Sequence, residues 1–102
     1  MRADKATGAL HLVYTAGEGG FSACRSACAA GDVVLFIDNG VRQLLLGEPG
    51  RLLPPGVAVH YSKPDLEARG LLRTAQDAQV RILEDGEFTA LLVNHRHCLG
   101  WK

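Results

Sequence analysis

The chain's 102 residues fill one ordinary domain, and 47% hydrophobic with 22% charged residues marks a globular protein with a real core. Eleven basic residues balance eleven acidic ones without clustering, which excludes the counterion-driven grip of a direct nucleic-acid binder. The longest apolar run, Val33 to Ile37, is far too short to cross a bilayer.

Met1 to Thr7 lack an apolar pattern, so residues 1–8 are read as a flexible extension and 9–102 as the single domain. Arg2 and Lys5 are followed by no apolar stretch, so no secretion signal is expected and the chain is read as cytoplasmic. In that compartment its three cysteines are reduced thiols, not a disulfide scaffold.

In chain order, Ala9–Thr15 predicts a buried strand rich in branched and aromatic residues. A Gly-rich turn follows, then a helix over Phe21–Ala30 closed by Gly31. Asp32–Asp38 is the clearest strand, apolar on both faces as parallel-sheet strands are. Asn39-Gly40 turns the chain into a short segment ending Leu44-Leu45-Leu46, and the glycines and prolines of 48–56 predict loop. Val57–Tyr61 is a third strand. Ser62 then caps a helix with Pro64 in its first turn, which ends at Gly70. Val80–Leu83 is a fourth strand, Gly86–His95 a helix and Cys98–Trp101 a final strand. The alternation calls for an α/β fold: a three-layer α/β/α sandwich with a mainly parallel five-stranded sheet, the second strand central.

Few residues point to chemistry. Gly17-Glu18-Gly19-Gly20 lies where nucleotide-binding folds hold phosphate, but it lacks the GxGxxG spacing and Glu18 repels anions, so a plain turn is the stronger reading. Cys24 and Cys28 stand four apart on one helix face. If Ser22 is the N-cap, Cys24 falls in the first turn, where the helix dipole and Arg25 favour a thiolate able to accept sulfur. Cys24 is then partly accessible and titrates below Cys28; the competing reading makes both thiols small core residues. His60, His95, His97 and Cys98 match no zinc spacing, so no metal and no cofactor are expected. Asp38 is either a site carboxylate or ordinary Asp-Asn-Gly turn chemistry. The leucine run is apolar all round a short helix, so it is either buried on both sides or turned to a partner.

Several segments together resemble the TusB/DsrH family of sulfur-relay subunits. They are AlaLeuHisLeuVal in the first strand, GlyAspValValLeuPheIleAspAsnGlyVal around the second, and AspLeuGluAlaArgGlyLeu at Asp65–Leu71. Ile82-Leu83-Glu84, Phe88 and the terminal Trp101 continue the register. The extension before Ala9, Cys28 and Cys98 stand outside the family pattern.

The resemblance implies a DsrEFH-like sandwich assembled with TusC/DsrF-like and TusD/DsrE-like subunits and serving a downstream sulfur acceptor protein. It implies persulfide transfer toward 2-thiolation of the tRNA wobble uridine, or cytoplasmic sulfur oxidation in the DsrH setting. The main sulfur-accepting cysteine belongs to the TusD/DsrE-like partner. DsrH-type members carry a further cysteine seven residues before the glycine preceding the second strand; here that glycine is Gly31 and the cysteine Cys24. Cys24 is therefore the candidate persulfide carrier, and the chain an accessory subunit that self-associates when alone. A purely structural subunit without chemistry is the alternative.

Overall fold

The computed structural model describes residues 8–17, 19–47 and 49–102; the expected extension through Thr7, and Glu18 of the Gly-rich turn, lie outside them. Five strands form one sheet: β1 (Leu10–Val13), β2 (Val33–Phe36), β3 (Ala58–Ser62), β4 (Ile82–Leu83) and β5 (Cys98–Trp101). Their order is β4-β3-β2-β1-β5 and every pairing is parallel. β2 is central, with Val34, Leu35 and Phe36 wholly buried, because its unbroken apolar run can serve both faces at once.

The helices are α1 (Gly20–Ala27), α2 (Lys63–Ala68), α3 (Leu72–Asp77) and α4 (Asp85–Asn94). Three successive steps in one direction, β1 to β4, carry their connections over one face. Phe21, Val41, Leu66 and Ala75 from those connections pack there against Val13, Val34, Phe36 and Tyr61. The Phe36 ring lies between Tyr61 and Phe21, with centroids 5.0 and 5.3 Å away. The return step to β5 places α4 on the opposite face, where Phe88 and Leu91 cover Leu10, Leu12, Leu35 and Leu83. This is the expected three-layer sandwich.

Local departures have local causes. α1 begins at Gly20, not beyond Ser22, because Gly19 takes φ 95° and so ends the turn. α3 was not expected: among its six residues only Ala75 is buried, so LeuArgThrAlaGlnAsp carries almost no apolar stripe. Within the expected 48–56 loop, Pro49–Leu52 winds into a short 3-10 turn. The leucine run closes a longer 3-10 stretch, Asp38–Leu46. Gly40 in that stretch is obligatory, since a Cβ there would lie 2.0 Å from the Val13 carbonyl oxygen. α4 starts one residue earlier than expected, at a capping box in which Glu84 and Glu87 satisfy each other's backbone N–H groups.

Candidate functional site

α1 lies across β1, and the side chains between them form a chemically dense region. Phe21, Cys24 and Cys28 occupy the helix stripe turned to the sheet. His11 and Val13 alternate with Leu10 and Leu12 along β1, so His11 points to the α1 side. Although polar, His11 is only 1% exposed.

A buried imidazole must find partners for both nitrogens, and this one does. The indole Nε1–H of Trp101, in the neighbouring β5, donates to Nδ1 at 3.1 Å. Since indole is a donor only, Nδ1 is bare, and the ring proton sits on Nε2, which donates to Asp32 Oδ2 at 2.8 Å. Asp32 also accepts the backbone N–H groups of Ala9 at 2.9 Å and Ala29 at 3.1 Å. Burial acts to raise the Asp32 pKa. The hydrogen bonds from Ala9, His11 and Ala29 outweigh it, and the carboxyl is held below its usual range. One carboxylate thus ties the start of β1, the end of α1 and the start of β2.

Above this chain lie the two thiols, with Sγ atoms 3.8 Å apart. Cys24 is fully buried and Cys28 partly buried. The expected accessibility of Cys24 is not found, for a geometric reason. With Gly20 first, Cys24 is the fifth residue of α1, beyond the four whose N–H groups lack helical partners. The expected thiolate stabilisation therefore does not reach it. Burial, and then the neighbouring Cys28, push its thiol pKa far up. Cys28 is raised too, chiefly by burial, and sits where the backbone leaves the helix in an extended conformation. The two are core thiols by packing, Cys28 at the core's edge.

The other candidates are dispersed. His95 is buried and hydrogen-bonds through Nδ1 to the Leu91 carbonyl oxygen at 2.8 Å, finishing α4, whereas His97 and Cys98 are exposed. His60 lies on β3, its pKa lowered by burial and by Arg81. Among the described residues, the group whose donor atoms approach closely enough to share an ion is His11, Cys24 and Cys28, within 4.8 Å of one another. Asp38 is bound by Arg69, which also holds Asn39 and Asp65, so it braces a turn. The Gly-rich turn meets the chain's own Lys102: a Cβ on Gly20 would lie 2.9 Å from the Lys102 carbonyl carbon.

The leucine run splits. Leu44 packs against the core, while Leu45 and Leu46 are 57% and 59% exposed. Leu52, Val93 and Leu99 are exposed as well. Trp101 is on edge strand β5 but turns inward to His11. No described helix is long and apolar enough to cross a membrane.

His11 and Asp32 belong to no motif in the sequence. The signal was present: a histidine inside an otherwise apolar strand, and an aspartate directly before the most apolar one, need each other or water.

Residues 16–98 match the family described as DsrH like protein. The chain is 32% identical over 99 residues to Protein TusB of Photorhabdus laumondii subsp. laumondii, covering 88% of this chain and 100% of that one. Protein TusB of Pectobacterium parmentieri and that of Pectobacterium atrosepticum are each 33% identical over 73 residues, which is 70% of this chain and 76% of theirs. The family match spans the segments around the second strand, at Asp65–Leu71 and at Ile82-Leu83-Glu84 with Phe88, and the chain belongs to the TusB/DsrH family.

Proposed function

We propose that this protein is an accessory subunit of a cytoplasmic sulfur-relay complex that passes persulfide sulfur toward 2-thiolation of the tRNA wobble uridine. The observation that carries the reading is the match to Protein TusB over that relative's whole length. The geometry supports an accessory role. The thiol best placed by sequence, Cys24, is buried with its pKa raised, so it is a poor nucleophile as it stands. The exposed leucines of the 3-10 stretch offer apolar surface to TusC/DsrF-like and TusD/DsrE-like subunits. The latter supplies the main sulfur-accepting cysteine, and a further acceptor protein takes the sulfur onward.

One residue favours the DsrH-type reading, in which the complex serves cytoplasmic sulfur oxidation: Cys24 itself, seven residues before Gly31. In that reading Cys24 carries persulfide once the end of α1 opens past Cys28. Both readings are tested in cells lacking TusB. Restoration of 2-thiouridine in tRNA by the wild-type chain and equally by Cys24→Ser supports the accessory role in thiolation. Failure to restore it, with persulfide trapped on Cys24 in the assembled complex, overturns that role in favour of the DsrH-type carrier.

A further inference from the structure

We propose that His11, Cys24 and Cys28 form a binding site for one zinc ion, a property separate from membership of the relay complex. The donor atoms are two sulfurs and an imidazole nitrogen, all within 4.8 Å of one another. A tetrahedral ion with Zn–S bonds of about 2.3 Å sets its two sulfurs about 3.8 Å apart. The Cys24 and Cys28 sulfurs are 3.8 Å apart already. The matching sulfur-to-nitrogen edge is about 3.6 Å, so from the 4.8 Å limit the imidazole closes in by no more than about 1.2 Å. A side-chain adjustment covers that distance.

The donor set selects the ion. Thiolate with imidazole suits zinc and not magnesium or calcium, which prefer oxygen. Cys24 is fixed on α1 and His11 on β1, two elements packed against each other in the core. Cys28 stands on extended backbone at the helix end and is partly exposed, which provides the way in. The ion takes one nitrogen of His11 in exchange for its present hydrogen bond. That nitrogen is Nδ1, which gives up the Trp101 indole, because Nε2 keeps its proton and donates it to Asp32, as metal-bound histidines require. Binding replaces two S–H bonds by two Zn–S bonds and releases two protons, so the ion's two charges are met by two thiolates. Three protein ligands leave the fourth position to water or an external donor.

The test uses the full reduced chain, titrated with Co2+ as a spectroscopic probe and then with Zn2+. Expected are thiolate-to-cobalt charge-transfer absorption at one ion per chain, release of two protons, and a change in emission of Trp101, the chain's single tryptophan. Cys98→Ser leaves all three signals unchanged. Cys28→Ser, at a partly exposed position that should tolerate the change, removes the charge-transfer bands. It weakens zinc by more than the roughly 10–100-fold that loss of an outer partner costs. Asp32→Asn weakens zinc at least about tenfold. Absence of the bands in the wild-type chain, equal zinc affinity in Cys28→Ser, or loss of binding with Cys98→Ser would each overturn the proposal.

Discussion

The indole of Trp101 and the imidazole of His11, 90 positions apart, are joined by a 3.1 Å hydrogen bond inside the α1 side of the sheet. The bond fastens the last strand to the first and fixes which His11 nitrogen carries the proton. Asp32 extends the chain to β2. Three strands are thereby registered by side chains as well as by the backbone ladder.

Trp101→Phe keeps an aromatic ring but leaves His11 Nδ1 without its donor. We expect a loss of about 1–2 kcal/mol in unfolding free energy, the cost of an unsatisfied buried acceptor. Urea denaturation monitored by circular dichroism measures it. An unchanged midpoint would show that water replaces the indole.

Asp32 makes stability depend on acid. Its folded pKa lies below the unfolded value, near 3.8, so the carboxylate's contribution is full well above that value. It is lost as pH falls through the unfolded pKa toward the folded one. Stability of the wild-type chain should therefore fall on acidification below about pH 5. In Asp32→Asn the Asp32 part of that slope should vanish, with a loss of about 1.5–3 kcal/mol at neutral pH, the scale of hydrogen bonds to a charged group. Denaturation curves across pH 3 to 7 check both statements, about the range in which carboxylates titrate.

Thiol labelling should follow exposure. Iodoacetamide at near-neutral pH should modify Cys98 first, Cys28 more slowly and Cys24 last, since Cys24 is fully buried and its thiol is the most strongly raised. Mass mapping of a time course reads the order. Early labelling of Cys24 would mean that α1 opens readily.

Leu45→Asp should separate assembly from folding. Leu45 is 57% exposed, so the substitution should shift unfolding free energy by no more than about 0.5 kcal/mol. If the leucine run faces a partner, the same change should sharply reduce co-purification with TusC-like and TusD-like subunits, and reduce self-association of the chain alone. Undiminished assembly would move the contact elsewhere.

Gly40→Ala should cost about 3 kcal/mol or more, because its Cβ meets main chain at Val13, which cannot yield as a side chain can. Thermal melts of the soluble fraction measure this. A near-native melting temperature would contradict the observed approach of the 3-10 stretch to β1.

The sequence by itself determined the architecture. Strands of unbroken apolar residues alternating with helical stretches admit little but a parallel sheet covered on both faces, and AspValValLeuPheIleAsp marked its centre because both faces of that strand are apolar. The final strand was legible to the residue. A helix with few apolar anchors was not: in α3 only Ala75 is fully buried, with Leu72 partly buried beside the core, and no periodicity could announce it. The site was decided by tertiary structure. Gly19 and Gly20, not Ser22, open α1, and that shift of register carries Cys24 out of the first turn and into the core. His11, Asp32 and Trp101 are separated along the chain by 21 and 69 residues. Only the order β2-β1-β5 sets them side by side. A lone polar residue in a strand tells that a partner is needed, because burial without one is costly; which residue answers is set by which strands become neighbours.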